Sequence, residues 1–204
     1  MLIRIVSILF PLFAITALGY FVGRRMKPDL SHANKLNMDV FVPALVFGAL
    51  VSKDFRIGEY LPLLFATVVI IVGSGVAGWL VAPVMFNNCG NLGLPLAVLA
   101  FGESALAPAV VMFVVSNVIH FSYGAWLLDH HTKLTTVWRS PSILATIAGL
   151  TVGFLGIEVW PPLLMSIEMV GDISIPLMLF ALGVRLADSR ISAVGFGVFG
   201  AVLR

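Results

Sequence analysis

Long uncharged apolar runs, separated by short polar loops, make up most of this sequence. The runs are Ile5–Val22, Val40–Val51, Tyr60–Phe86, Leu92–Phe101, Ala105–Leu128, Ser142–Ile157, Leu163–Val184 and a start at Ile191. A helix needs about 20 predominantly apolar residues to cross the hydrocarbon core of a bilayer. The pattern therefore predicts an all-α polytopic membrane protein with about seven to eight spans. The second run reaches that length only if its helix begins near Asn34.

Composition agrees with lipid as the solvent. Hydrophobic residues are 60% of the chain and charged residues 11%, against roughly half and a quarter in soluble domains. A net charge of +2, with no basic stripe, argues against nucleic acid as a partner. Cys89 is the single cysteine, and no Cys/His spacing predicts a metal or a cofactor. The spans hold no paired-aspartate, zinc-ligand or Ser–His motif, so an enzyme is not expected.

Basic residues in the short loops predict the orientation. The loop after the first run carries Arg24, Arg25, Lys27 and Lys35. Positive charge concentrates in cytoplasmic loops, so this loop is expected in the cytoplasm and the N-terminus outside.

One block of sequence occurs twice. Asp39–Phe47 recurs 133 positions later as Asp172–Phe180, and each copy has its acid four residues before a proline, Pro43 or Pro176. Both prolines are predicted helix breaks. Five spans separate the copies, so the second copy would enter the membrane from the opposite face, as in inverted-repeat transporters.

A looser match extends the repeat upstream. Pro11–Gly23 corresponds to Pro141–Gly153, with Gly19 matching Gly149. The predicted organisation is a first repeat over residues 1–128 (spans one to five), a cytoplasmic loop over 129–140 and a partial second repeat over 141–204. A complete duplication needs five spans twice, so a C-terminal part is expected to be missing.

The segment Asn87–Pro95 interrupts the apolar pattern with three amides, two glycines and a proline. These residues do not continue a regular helix cheaply. Non-helical backbone at membrane depth is tolerated only where protein or a water-filled cavity covers it. A broken helix is therefore favoured over a reverse turn, which would leave Leu92–Phe101 too short to cross.

The string Phe86–Leu96, followed by Ala100–Glu103, resembles the fourth-helix motif of the auxin efflux carrier family, which includes plant PIN-like and bacterial malate or malonate permease-like transporters. The resemblance implies ten spans in two inverted sets of five, with the fourth and ninth helices crossing at a substrate site in the plasma membrane, here the bacterial inner membrane. The positions that it assigns to the first crossing are Asn87, Asn88, Gly90, Asn91, Gly93 and Pro95.

Two departures from that pattern follow. No basic loop separates the third run from the break, so a segment of the natural protein is expected to be absent near Val81–Pro83. The second crossing has no counterpart in this sequence, so the 204-residue chain is not expected to transport by itself.

Ionisable residues inside apolar runs are functional candidates, since burying their charge in a bilayer is costly. Asp39 and Asp172 hold matching repeat positions and are candidates for ion coupling, although both can instead lie at an interface. For Glu168 the interface is favoured. His120 follows Asn117 by three residues, and the two could line one crevice and bind substrate, although a buried neutral histidine is more common.

The function that this sequence favours is a secondary carrier that moves a small organic anion, a carboxylate, by alternating access. Proton or sodium coupling and a homodimer both stay open. A sodium-coupled symporter similar to the bile acid transporters is one alternative. A channel-like or purely structural helical membrane protein, in which the glycines only pack helices, is the other.

Overall fold

The computed structural model of the chain describes residues 2–51, 57–77, 89–119 and 139–189. Within them the secondary structure is entirely helical, so the predicted all-α class is confirmed. The α-helices are α1 (Leu2–Met26), α2 (Ser31–Leu36), α3 (Val42–Val51), α4 (Ile57–Ala77), α5 (Leu94–Phe101), α6 (Leu106–Ile119), α7 (Pro141–Leu155), α8 (Pro161–Asp172) and α9 (Ser174–Asp188). Two π-helical turns, Asn37–Phe41 and Cys89–Gly93, and a 3₁₀ turn, Glu103–Ala105, connect some of them.

Two stretches are long and apolar enough to cross a membrane by length and composition: Ser31–Val51 and Pro161–Asp188. The first comprises α2, a π turn and α3, so the second apolar run does extend upstream past Asn34. The second comprises α8 and α9, which only Ile173 interrupts. Shorter apolar helices cover Leu61–Gly73, Glu103–Ile119 and Pro141–Leu155.

A proline and a glycine set the two ends of helix α7. Helix α7 begins at Pro141, whose missing N–H costs nothing at a first helical position. It ends at Gly156, which adopts the left-handed conformation with φ 62°. The N–H of Ile157 then donates to the Val152 carbonyl at 3.1 Å, as in the common glycine-terminated helix end.

An aspartate outside the apolar segments holds the start of α2. The Asp29 carboxylate accepts hydrogen bonds from the Ser31 hydroxyl at 2.6 Å and from the Ser31 N–H at 2.9 Å. The hydroxyl bond is the main reason why the pKa of Asp29 lies below its ordinary value.

Helix α1 packs along α9 through glycines on both sides. A Cβ built on Gly19 would overlap the carbonyl oxygen of Phe180, and one on Gly23 would lie 3.0 Å from the Val184 Cα. Both contacts advance by four residues, so α1 and α9 run in the same direction. Small residues allow this close backbone approach.

Helix α3 lies at the centre of the described helices and packs against α7 and α8. The buried cluster around it comprises Val42, Leu45, Val46, Ala49, Leu50, Leu94, Val110, Val111, Phe113 and Met178. This core joins α3 to α5, α6 and α9, so the helix that follows the π turn Cys89–Gly93 rests against the central helix.

Candidate functional site

The described part of the predicted broken helix is irregular. Cys89–Gly93 forms a π-helical turn that leads into the eight residues of α5, with Pro95 at the second position of that helix. The irregular backbone expected near Asn87–Gly93 is therefore present over Cys89–Gly93. Asn87 and Asn88 lie outside the described residues, as does the expected gap at residues 81–83.

The π turn at Cys89–Gly93 packs against α6 and α9. A Cβ on Gly90 would lie 2.8 Å from the ring of Phe113, so only glycine lets α6 approach this closely. Pro95 is buried and Gly93 half-buried. The π turn Cys89–Gly93 therefore lies against α9, which belongs to the predicted second repeat.

The fifth predicted span is described only in part. Asn117 lies half-buried in α6, two residues before the end of that helix. His120 lies outside the described residues, so the structure does not bring these two predicted site residues together. The backbone of Asn91 belongs to the π turn.

Both repeat prolines follow a helix irregularity. Pro43 comes after the π turn Asn37–Phe41, and Pro176 comes after the single turn residue Ile173. A proline has no N–H to donate and its ring crowds the carbonyl four residues earlier. In both repeats that carbonyl belongs to the acid, Asp39 or Asp172, which explains why the two irregularities lie near these acids.

The side chains of both acids are exposed. Asp172 lines a cavity of about 370 Å³ between α3, α8 and the turn after α5. Glu168 and Glu103 line the same cavity, and Gly48 of α3 keeps its wall open, because a Cβ there would lie 3.3 Å from the Glu168 Cγ. Three carboxylates and no basic side chain make this cavity unsuited to an organic anion and suited to a proton or a cation.

Sequence reasoning missed Glu103 as part of this cavity. It lies in the 3₁₀ turn Glu103–Ala105 between two apolar helices, where an acid is ordinarily a solvated loop residue. Sequence reasoning also gave no role to Asn37 and Ser174, whose side-chain oxygens are buried without a hydrogen-bond partner. No group of three or more His, Cys, Asp or Glu residues arranged to hold a metal ion occurs in the described part of the chain.

The contacts of the repeat glycines are reciprocal. Gly19 in α1 touches the backbone of Phe180 in α9, while a Cβ on Gly149 in α7 would lie 3.6 Å from the Cα of Phe47 in α3. Gly149 is the sequence counterpart of Gly19, and Phe47 that of Phe180. Each copy of the glycine therefore meets the other copy's phenylalanine.

The central helices α3 and α8 run in opposite directions. Gly48 faces the side chain of Glu168, and Gly171 faces the backbone of Leu45. The residue number therefore falls along α3 as it rises along α8. Helix α7 packs on the C-terminal part of α3, because a Cβ on Gly149 would lie 3.0 Å from the Leu50 Cβ and one on Gly153 would lie 3.3 Å from the Leu50 carbonyl oxygen.

A protein of Rhizobium meliloti (strain 1021) named "Putative malonate transporter" is 28% identical over 222 residues, which cover 90% of this chain and 67% of that protein. No family model matches the sequence, and no solved structure matches it.

Proposed function

We propose that this chain is part of a secondary carrier that moves a small organic anion of the malonate type, a short dicarboxylate, across the bacterial inner membrane. The observation that carries the proposal is the π-helical turn at Cys89–Gly93, packed against α9, at the position of the predicted broken helix. Broken helices near the bilayer midplane supply transporters with backbone groups and dipole ends for anionic substrates. The similarity to a protein named as a malonate transporter supports the same class of substrate.

The reciprocal glycine contacts support an inverted repeat. Two units related by a two-fold axis exchange their contacts, so that residue i of one meets residue j of the other and the reverse. Gly19 with Phe180 and Gly149 with Phe47 follow this rule.

The helix directions support inversion. Helix α8, which α9 continues past Ile173, is antiparallel to α3. The matching segments Asp39–Phe47 and Asp172–Phe180 therefore run in opposite directions. This is the relation expected when the second copy enters the membrane from the other face.

The length of the aligned stretch supports a missing internal segment. The alignment runs over 222 residues, more than the 204 of this chain, so the relative carries residues without a counterpart here. Residues 81–83 stay the predicted position of the difference.

Counterflow into proteoliposomes tests the function. Vesicles that contain the full-length natural protein and are preloaded with unlabelled malonate should accumulate labelled malonate, whereas protein-free vesicles should not. Excess external succinate or malate should compete if the site recognises short dicarboxylates, and acetate should compete weakly. Malonate flux that rises linearly with concentration, without saturation, would favour the channel-like alternative.

We assign proton coupling to Asp172 on the basis of the carboxylate-lined cavity. Asp172→Asn keeps the size of the side chain but cannot exchange a proton, so uptake driven by a pH gradient should fall at least about tenfold while counterflow, which needs no driving ion, should persist. Asp188→Asn, at the exposed end of α9, is the matched control. Uptake that follows a sodium gradient in the unsubstituted protein would support the sodium-coupled alternative.

The proposed orientation is tested at Met26, the exposed last residue of α1. With Cys89 changed to serine, Met26→Cys should resist an impermeant thiol reagent applied to intact cells and react in inside-out vesicles, because the neighbouring basic loop is expected in the cytoplasm. Rapid labelling of intact cells would show that this position faces the outside and would contradict the proposed orientation.

A further inference from the structure

Two buried side-chain oxygens near the two helix irregularities make no hydrogen bond. The Asn37 Oδ1 and the Ser174 Oγ are both shielded from solvent and make no hydrogen bond, and the residues are 2% and 0% exposed. An unsatisfied polar group in such a position is costly, so nearly all buried polar groups in proteins bond to protein or ordered water.

At each irregularity a proline also removes one backbone donor, so one carbonyl lacks its regular helical partner. The Val42 N–H donates to the Asn37 carbonyl in the five-residue π pattern, so the next donor in that pattern would be Pro43, which has none to give to Met38. In the second copy Pro176 has no N–H for the Asp172 carbonyl.

A buried water molecule needs about two to four polar partners. The freed carbonyl and the unpartnered side chain at each break supply two. Water commonly satisfies backbone groups that a proline frees within a membrane helix. Oxygen atoms without a nearby buried charge suit water better than a desolvated cation.

The two breaks are separated along the helix pair. Continuing the antiparallel register of Gly48 with Glu168 and Leu45 with Gly171 brings Ser174 about level with Val42, and Asn37 about one turn further, near Leu179. The π turn Asn37–Phe41 packs against α9, as this register requires. Val42, at the level of Ser174, and Met178, next to Leu179, both belong to the buried apolar cluster, so apolar side chains separate the two polar positions.

We propose that each break binds water in a dead-ended pocket, one at Asn37 and one at Ser174, reached from opposite sides of the membrane and separated by a dry layer around Val42 and Met178. The inference rests on the proposed membrane function only in requiring that α3, α8 and α9 span the bilayer. The water satisfies the polar groups at both helix irregularities within the bilayer. The apolar layer prevents the two pockets from joining into a continuous water path.

Cysteine accessibility tests the proposal without any substrate, so its failure and that of the transport proposal are distinguishable. In the full-length protein with Cys89 changed to serine, Asn37→Cys and Ser174→Cys should react with a small charged methanethiosulfonate, each from one side of the membrane only and from opposite sides. Val42→Cys and Met178→Cys are the matched controls and should react at least about tenfold more slowly, since a dry thiol rarely ionises.

A thermal measurement covers the case in which a cysteine variant does not fold. Ser174→Ala should lower the apparent melting temperature by about 2 °C or more, because the bound water and the Asp172 carbonyl lose a partner. Ser166→Ala is the control, since the exposed Ser166 hydroxyl only donates to the Pro162 carbonyl of its own helix at 2.8 Å. Two cysteines that are both inert, or both labelled from one side, or a Ser174→Ala variant with a higher melting temperature, would overturn the proposal, since removing a dry unsatisfied hydroxyl is stabilising.

Discussion

Gly183→Ala is expected to separate α1 from α9 and to remove most of the correctly folded protein. A Cβ at Gly183 would overlap the carbonyl oxygen of Thr16 and lie 2.8 Å from the Tyr20 nitrogen. Both obstacles are backbone atoms, so no change of rotamer relieves them and the helices must move apart. Overpacking of this kind typically costs about 1–3 kcal/mol and more where the backbone must shift. The monodisperse fraction in detergent and its melting temperature measure the effect.

Gly73→Ala in α4 is the matched control. No described atom lies within 4 Å of a Cβ at that position, and alanine is favoured over glycine inside a helix by about 1 kcal/mol. This control should leave the melting temperature unchanged or raise it slightly. Equal losses for Gly183→Ala and Gly73→Ala would show that the close approach of α1 and α9 does not hold the protein together.

The lengths of the apolar runs predicted where the helices lie. The positions of proline and glycine were the only sequence signal for interruptions in those helices. Run length alone indicated that the second span had to start near Asn34, and the helix does begin upstream, at Ser31. The prolines Pro43 and Pro176 predicted breaks because the chemistry of proline is local. The structure has a π turn before Pro43 and a single turn residue before Pro176. Which of these irregularities occurs depends on the neighbouring helices and could not be read from the sequence.

Buried faces could not be predicted because these helices are apolar all round. In a soluble helix the polar side marks the solvent, whereas a lipid-facing side is as apolar as a core-facing one. Asn37 and Asp39 are two residues apart in the same π turn, yet Asn37 is only 2% exposed whereas Asp39 is exposed. The way α7, α8 and α9 pack against this turn decides which of the two side chains is covered.

For the proposed repeat, a weak sequence signal and a spatial contact support one another. Apolar sequence matches itself easily, so the similarity of Pro11–Gly23 to Pro141–Gly153 is not specific. Gly19 and Gly149 nevertheless both lie against the equivalent phenylalanine of the opposite copy. Chance similarity gives no reason for that exchange of contacts, whereas two copies of one folding unit related by a two-fold axis require it.

Asn91→Ala in the full-length protein is expected to reduce malonate counterflow to the background of protein-free vesicles while leaving membrane insertion intact. Asn91 belongs to the π turn Cys89–Gly93, and we propose that its amide serves the substrate cavity. A hydrogen bond to a charged group contributes about 1.5–3 kcal/mol, so losing one from a carboxylate weakens binding by at least about tenfold.

Leu92→Ala is the neighbouring control for Asn91→Ala. Leu92 occupies the same turn and is 45% exposed, so its truncation perturbs the same backbone but removes no polar group, and counterflow should persist. Purification yield and melting temperature, measured for both variants, separate a lost contact from a lost fold. An Asn91→Ala protein that inserts normally and still exchanges malonate would contradict the substrate role of this amide. If Asn91→Ala instead lowers yield and melting temperature without a transport defect in the protein that remains, the asparagine packs the broken helix against α6 and α9, as the structural alternative requires.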